Sequence, residues 1–147
     1  MSSPSHTDHR DAQLIEALRA RGRRVTPQRL LIHRALCELE RHSTAEEVRE
    51  AVVERLPNAS LPTVYSTLDL LEELGFAQRV PVATASALYD ARLEEHQHLV
   101  CRRCGAVEDV DVRVDMAGAL AAARRGGLRP DTAEVVMRGV CAACASQ

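Results

Sequence analysis

Four cysteines near the C-terminus form two Cys-x-x-Cys pairs, Cys101 with Cys104 and Cys141 with Cys144. Two such pairs on either side of a folded segment can place four thiolates at the corners of a tetrahedron, the closed geometry of a structural zinc site. Two disulfides or four buried core cysteines are the alternatives, and a redox-active Cys-x-x-Cys motif needs only one pair. The spacing therefore favours structural Zn²⁺.

Two histidines, His96 and His98, precede the first cysteine pair at alternating positions. If this segment is extended, both imidazoles leave the same face of the strand. A single histidine is more often an ordinary core or surface residue. Two histidines at this spacing beside a thiolate cluster indicate half of a second metal site.

The composition limits the hydrophobic core that the chain can build. The 147 residues include no Trp, one Phe and two Tyr, so any core must be aliphatic and small. This length allows two small domains, and the C-terminal one then needs a staple such as zinc, whose binding contributes folding free energy. The fifth cysteine, Cys37, has no Cys-x-x-Cys partner and is expected to be a small core residue.

No segment has the features of a signal peptide or a membrane span, because residues 1–11 are polar and no long apolar run follows. We therefore expect a cytoplasmic protein with no membrane partner. Cysteines stay reduced in that compartment, which again favours zinc over disulfides.

The net charge of −2 argues neither for nor against nucleic acid as a partner, but the charges are unevenly distributed. All nineteen basic residues are arginines. The segment between Glu16 and Glu38 has no acidic residue and contains Arg19, Arg21, Arg23, Arg24, Arg29 and Arg34. Such a run is either a solvated helix face or a surface for phosphate contacts.

The N-terminal part of the chain carries signals for four helices and a β-hairpin. Residues 1–10 are polar and are expected to form a disordered tail. Apolar spacing then predicts helices over residues 11–21, 26–39, 43–56 and 60–74. Their end signals are Thr26-Pro27 for the second helix, a capping box from Ser43 to Glu46 for the third, and Ser60 and Gly75 for the fourth. Phe76–Val82 and Ala87–Asp90 are predicted strands around a wing loop, Ala83–Ser86.

The fourth predicted helix follows the third after a brief turn, which is typical of a helix-turn-helix. Its polar face offers Thr63, Tyr65, Ser66 and Asp69. A plain surface helix is the alternative. The capped helix before it and the basic segment with Arg23 and Arg24 favour a recognition helix that docks against DNA.

From Leu99 onward the pattern predicts a small α/β unit. A strand over residues 107–112 is followed by an Ala-rich helix over 116–123, which ends at Gly126-Gly127. Another strand over residues 135–140 leads into the second cysteine pair. Zinc would thus tie the first strand of this unit to its last residues.

Five segments resemble the ferric uptake regulator family and are spread over nearly the whole chain. They are Arg24–Arg29 (RVTPQR), His42–Glu47 (HSTAEE), Pro62–Tyr65 (PTVY), His96–Cys101 (HQHLVC) and Gly139–Cys144 (GVCAAC). The resemblance implies an α+β homodimer, with a winged helix-turn-helix domain over residues 1–85, a hinge over 86–93 and a zinc-stapled dimerisation domain over 94–147. It also implies a metal-dependent transcriptional repressor, not an enzyme. Its partner would be a palindromic operator in double-stranded DNA. The basic segment and the polar face of the fourth helix assign the DNA contacts to Arg23, Arg24, Thr63, Tyr65 and Ser66.

The same resemblance assigns two metal sites. Structural zinc would be held by Cys101, Cys104, Cys141 and Cys144. The regulatory metal would lie at the hinge between His42, Asp90, His96, His98 and Asp109. This nitrogen and oxygen set suits Fe²⁺, Mn²⁺, Ni²⁺ or Zn²⁺. Asp90 and Asp109 stand where iron-type relatives often have Glu and resemble the peroxide-responsive branch. That branch implies regulatory Fe²⁺ or Mn²⁺, with peroxide oxidising His42 or His96 of the iron form.

Three other interpretations compete with peroxide sensing. An iron-availability repressor of the same family would use the same residues but respond only to metal concentration. Two histidines and a carboxylate also form the facial triad of non-haem iron oxygenases, but no substrate pocket is evident in so small an aliphatic chain. A zinc-ribbon interaction module predicts no metal-dependent DNA binding. Glu95 and Ala133 stand where iron-type relatives have histidines, so a third metal site is not expected.

Overall fold

The computed structural model describes residues 6–82, 86–93, 96–131 and 133–147. These residues form two compact units, the first with residues 6–80 and 86–93 and the second with residues 81–82, 96–131 and 133–147. Residues 86–93, predicted as a hinge, therefore group with the first unit. The described helices and short strands make an α+β fold, as predicted.

The first unit contains four helices and a two-stranded hairpin. In chain order these are α1 (His6–Ala20), α2 (Pro27–Leu39), α3 (Ala45–Val52), α4 (Leu61–Leu74), β1 (Gln78–Arg79) and β2 (Tyr89–Asp90). The strands are antiparallel, with Gln78 opposite Asp90 and Arg79 opposite Tyr89. They are shorter than the predicted strands, and residues 83–85 of the predicted wing loop lie outside the described residues.

Helices α2 and α4 begin where local capping residues predict. Thr26 Oγ1 accepts a hydrogen bond from the amide of Arg29 at 3.3 Å, and Ser60 Oγ accepts one from the amide of Thr63, also at 3.3 Å. A proline follows each cap in the first turn, where its missing N–H has no helical partner to lose. Gly75 ends α4 with a φ of 82°, a left-handed conformation that favours glycine.

Three helix boundaries differ from the sequence expectation. Residues 6–10 are helical rather than disordered, while residues 1–5 lie outside the described part. The capping box of α3 lies one residue later than predicted: Thr44 Oγ1 accepts from the Glu47 amide at 3.2 Å, and Glu47 Oε2 accepts from the Thr44 amide at 2.8 Å. Ser43 instead pairs through its backbone with Tyr89, at 2.8 and 2.9 Å. Helix α3 also ends at Val52, before the predicted Leu56.

The core of the first unit is aliphatic, apart from one tyrosine. Its largest fully buried side chains come from all four helices and from β2: Leu14, Leu18, Ile32, Leu36, Val48, Val64, Leu68, Leu71 and Tyr89. Burial of these side chains holds the short helices together, since helices of this length are marginal alone. Cys37 was predicted to be a core residue but is only partly buried.

The second unit is built on a three-stranded sheet. Its elements are β3 (Gln97–Cys101), β4 (Val107–Val110), α5 (Ala117–Arg125), β5 (Val136–Gly139) and a short helix that was not predicted, α6 (Ala142–Ala145). The central strand β3 pairs antiparallel with β4 and parallel with β5. Among the described apolar side chains of this unit, Cys101 and Cys141 are the buried ones, and α5 buries none. Burial of the described apolar side chains is therefore too small to stabilise the second unit, which needs a further source of stability.

Candidate functional site

The four predicted zinc ligands come together in the second unit. Their sulfur atoms all lie within 4.8 Å of one another, and Cys104 Sγ is 3.7 Å from Cys141 Sγ. A tetrahedral site with Zn–S bonds of about 2.3 Å has sulfurs about 3.8 Å apart. Cys101 ends β3 and Cys144 lies on α6. The distances between the four sulfurs therefore fit a structural zinc site.

Backbone geometry positions the sulfurs. Gly105 turns the chain after the first pair with a φ of 75°, and its amide donates to the carbonyl of Cys101 at 2.9 Å. The amide of Cys141 donates to Cys101 Sγ at 3.3 Å. The side chain of Arg103, which sequence reasoning missed, donates to the carbonyl of Cys144 at 3.0 Å. The two cysteine pairs are thus linked without the metal.

The sulfurs compete for protons. Amide groups of Cys104 and Cys141 donate to Cys101 and lower the pKa of its thiol to about 6. Hydrogen bonds to the sulfurs of Cys141 and Cys104 raise the pKa of Cys144 to about 12. A bound cation stabilises all four as thiolates, because it replaces their protons and offsets their mutual repulsion.

Two predicted regulatory ligands, His96 and His98, lie beside Asp109 in the same unit. The Nε2 atoms of His96 and His98 lie 3.5 and 3.6 Å from Asp109 Oδ1, and the two ring centroids are 4.7 Å apart. The β3–β4 register places Asp109 directly opposite His98. The side chains of His96, His98 and Asp109 are 1%, 7% and 24% exposed. Buried imidazoles around one carboxylate oxygen form a donor set for a divalent cation.

The other two predicted regulatory ligands, His42 and Asp90, belong to the first unit. Ser43 and Tyr89 form an antiparallel bridge. His42, one position before Ser43, therefore lies across from Asp90, one position after Tyr89. Asp90 is 3% exposed, and its Oδ1 accepts a hydrogen bond from the amide of Arg92 at 2.8 Å. Each unit thus presents part of the predicted donor set on an ordered backbone.

The predicted DNA-contacting residues of α4 lie near its N-terminal end. Ser66 is exposed and donates to the carbonyl of Thr63 at 3.0 Å. Thr63 also hydrogen-bonds through Oγ1 to the Ser60 hydroxyl at 2.9 Å. The Tyr65 hydroxyl is 3.5 Å from Glu46 Oε1 and is held only weakly. These polar groups can exchange their present contacts for a polar ligand at low cost.

The basic segment does not act as one surface. Arg23 and Arg24 are exposed between α1 and α2, and Arg23 makes a 3.6 Å ion pair with Glu73. Arg34 instead donates to the buried carboxylate of Asp11 through Nε, at 2.8 Å, and through Nη2. Arg34 therefore stabilises the packing of α1 against α2.

Asp69 has a structural role that sequence reasoning missed. Its Oδ1 accepts from the Tyr89 hydroxyl at 2.9 Å and from Arg79 Nη2 at 2.8 Å. Arg79 also lies over the Tyr89 ring, 5.2 Å from its centroid. Burial, with the nearby Asp69 carboxylate, raises the pKa of Tyr89 to about 12. This network depends on strand register, which no local sequence signal specifies.

The chain matches a known family over most of its length. The model of the family described as "Ferric uptake regulator family" matches residues 20–133. A peroxide-responsive repressor, PerR, of Staphylococcus epidermidis is 33% identical over 102 residues, which are 69% of this chain and 68% of that protein. "Ferric uptake regulation protein 1" of Mycolicibacterium fortuitum is 39% identical over 120 residues, 81% of this chain and 74% of that protein.

The fold also matches a solved structure described as a zinc uptake regulator complexed with zinc and DNA. The TM-score is 0.69 at 28% identity, and the match covers 97% of each chain. Among the described residues, none of the helices combines the length and the apolar character that crossing a membrane requires.

Proposed function

The chain belongs to the ferric uptake regulator family, and from this we propose that it is a metal-dependent transcriptional repressor that senses hydrogen peroxide. Proteins of this family are metal-responsive regulators of transcription that bind DNA as dimers. The family thus accounts for a response to metal and for DNA as a partner. The regulatory metal, the signal and the contributing residues are our proposal.

The observation that carries this proposal is the donor set of the second unit. His96, His98 and Asp109 offer nitrogen and oxygen atoms with no thiolate, which suits Fe²⁺ or Mn²⁺. We assign these three residues to the regulatory metal and add His42 and Asp90 as the sequence resemblance implies.

The four cysteines are assigned to structural zinc, as their mutual distances support. Zinc then supplies stability that the apolar side chains of the second unit do not. We assign DNA binding to residues 1–85 and dimerisation to residues 94–147, with the hinge within residues 86–93. Two copies of α4 related by a two-fold axis would read a palindromic operator.

The DNA contacts are assigned to two kinds of group. Arg23 and Arg24 are exposed cations that can meet phosphates. Thr63, Tyr65 and Ser66 offer hydroxyl groups from the first half of α4, where a recognition helix contacts base edges. None of these five side chains is buried, so each can reach DNA without a rearrangement of the core.

Peroxide sensing is assigned to the imidazoles. When bound, ferrous iron would supply the one-electron chemistry that activates hydrogen peroxide, which Mn²⁺ largely would not. In the net reaction a ring carbon of His42 or His96 would lose its hydrogen and gain one oxygen atom. The imidazole would thus be oxidised by two electrons, and the second peroxide oxygen would leave as water. The altered imidazole is a poorer ligand, so the donor set falls apart and the repressor leaves its operator.

An iron-availability repressor is the second candidate. The ferric uptake regulation protein of Mycolicibacterium fortuitum matches a longer part of this chain, at higher identity, than the staphylococcal peroxide-responsive repressor. The same ligands would then hold iron, and loss of DNA binding would follow only from iron depletion.

The two candidates are separated by loading the protein with Fe²⁺ or Mn²⁺ and adding low-micromolar peroxide. Peroxide sensing predicts that only the iron form loses binding to DNA from its own promoter region. It also predicts a gain of one oxygen on a peptide that contains His42 or His96. The peptide that contains His33, a buried histidine outside the donor set, is the internal control.

If both metal forms keep binding DNA and neither peptide gains mass, the protein is an iron-availability repressor. If the His33 peptide gains oxygen as readily as the others, the oxidation is non-specific and peroxide sensing at this site is rejected.

A further inference from the structure

A small cavity lies between α1 and α2 in the first unit. Its volume is about 30 Å³, and residues from both helices line it, among them Arg10 and Asp11 from α1 with His33, Arg34, Cys37 and Glu38 from α2. By the same measure, a cavity needs about 10–15 Å³ to hold one water molecule. The cavity can therefore hold a single small ion or molecule, and none of these residues has a part in the proposed function.

A thiol sulfur and an imidazole nitrogen in this cavity are spaced as ligands of one ion. His33 and Cys37 stand one helical turn apart, and His33 Nε2 is 3.5 Å from Cys37 Sγ. With the bond lengths that zinc makes, about 2.0–2.1 Å to nitrogen and 2.3 Å to sulfur, a tetrahedral angle places two such donors about 3.6 Å apart. A metal could bridge this pair with almost no change in the helix.

Two buried polar atoms of the cavity lining have no hydrogen-bond partner within the described part of the chain. They are His33 Nδ1 and Asp11 Oδ1, on residues that are 4% and 6% exposed. The other carboxylate oxygen, Asp11 Oδ2, accepts from Arg34 and fixes the carboxylate in place. Buried polar groups without partners are costly, so each is expected to meet a water or a ligand in the cavity. A water bound to an ion in the cavity could donate to Asp11 Oδ1.

The charges around the cavity select the valence of the ion. Arg10 and Arg34 balance Asp11 and Glu38, so the lining is neutral overall while Cys37 is protonated. Burial raises the pKa of the Cys37 thiol, although Arg10 opposes this effect. A monovalent ion that replaces the thiol proton leaves the charge unchanged, whereas a divalent ion adds a positive charge near two guanidinium groups. A thiolate suits Cu⁺ or Zn²⁺, and imidazole can bind either, so the charge balance favours Cu⁺.

We propose that His33 and Cys37 form a binding site for a soft monovalent metal ion of the Cu⁺ class. The thiol proton is released to solvent when the Cys37 thiolate binds the ion, and no electron is transferred. The site is independent of both the four-cysteine group and the proposed regulatory ligands. When occupied, the site would link α2 to Asp11 on α1 through a water bound to the ion.

The test titrates zinc-loaded protein with Cu⁺ buffered by bicinchoninate under anaerobic conditions, while a dye reports any zinc release. We expect wild-type protein to take up the first equivalent of Cu⁺ without losing zinc. Cys37→Ser and His33→Gln should each weaken that uptake by about 100-fold or more, since a direct ligand should matter at least as much as an outer-shell partner. The control is His9→Gln, which removes an exposed imidazole from α1 and should bind as wild type does.

Thermal unfolding of each variant checks that the first unit is intact, and Cys37→Ala serves if the serine variant is unstable. The proposal is overturned if wild-type protein takes up no Cu⁺, or if uptake is matched by zinc release. Equal uptake by Cys37→Ser and wild type at the same chelator concentration also overturns it.

Discussion

Arg24 and Tyr65 belong to different classes of expected DNA contact, although both are accessible side chains of the first unit. Arg24 is an exposed cation, and it would contribute to DNA affinity by releasing counterions from a phosphate. Tyr65 carries a weakly held hydroxyl on α4 and has no charge to contribute. A change at Arg24 should therefore alter the salt dependence of binding, and a change at Tyr65 should not.

The first prediction concerns these two residues. Arg24→Ala should reduce the slope of log affinity against log salt by about one unit for each operator half-site. Tyr65→Phe should weaken binding and leave the slope unchanged. Fluorescence anisotropy with promoter DNA at several salt concentrations measures both quantities. Equal slopes for wild type and Arg24→Ala would remove Arg24 from the interface.

Whether a single residue's role can be predicted depends on how local its partners are. The spacing of the cysteine pairs and of the alternating histidines is enough to predict metal ligands. The structure brings each set together within the second unit. Arg34 and Asp69 read as surface residues of a basic segment and a recognition helix. Their partners, Asp11 and Tyr89, stand 23 and 20 positions away, so only the folded chain reveals them.

At the scale of elements, the hairpin is attached to α4 by a buried phenol. Tyr89 is 1% exposed, yet its hydroxyl reaches Asp69 on α4 while its backbone pairs with Ser43. The folded state holds the phenol proton more tightly than the unfolded chain does, because the pKa of Tyr89 is raised to about 12. This contribution to stability is complete below pH 10 and declines as the pH rises to about 12.

The second prediction is that Tyr89→Phe lowers the free energy of unfolding by about 1 kcal/mol at neutral pH. Above pH 10 the difference from wild type should shrink, because wild type loses the phenol contribution and the variant has none. The chain has no Lys, and the cysteine thiols that titrate in this range are common to wild type and variant, so they cancel in the difference. Urea unfolding between pH 8 and 11.5 measures the difference.

Tyr65→Phe is the matched control for loss of a hydroxyl, since that hydroxyl makes only a long hydrogen bond of 3.5 Å to Glu46 Oε1. A pH-independent difference between wild type and Tyr89→Phe would show that the phenol proton is not linked to folding.

Element boundaries were predictable wherever the end signal was local. Thr26, Ser60 and Gly75 cap their helices with groups only a few residues away. The sequence pattern predicts the capping box of α3 one residue too early, because Ser43 pairs with a distant strand and Thr44 caps the helix instead. The start of α1 was missed because its first turns are polar and exposed and carry no apolar period.

At the scale of the whole molecule, the two units differ in what stabilises them. The first has an aliphatic core contributed by four helices and a strand. The second has a three-stranded sheet in which Cys101 and Cys141 are the buried apolar residues among those described. Metal ligation and a dimer partner would supply the missing stability.

The third prediction follows from this difference. Cys101→Ser should remove the zinc, unfold the second unit and give monomers, while the helices of the first unit persist. Elemental analysis, circular dichroism and light scattering measure these three effects. Cys37→Ser is the matched control and should keep both zinc and the dimer. A Cys101→Ser protein that stays a stable dimer without zinc would contradict the structural assignment.

The parallel pairing of β3 with β5 has a consequence for the speed of folding. Helices α1 to α4 meet neighbours close along the chain, whereas β3 meets a strand whose following cysteine, Cys141, lies forty residues beyond Cys101. Closing so long a loop delays pairing, because its entropy is lost before the contacts form. After dilution from denaturant, the helical signal should return first. The slower return of the sheet should accelerate with added zinc, which can hold both ends of the loop before the strands align.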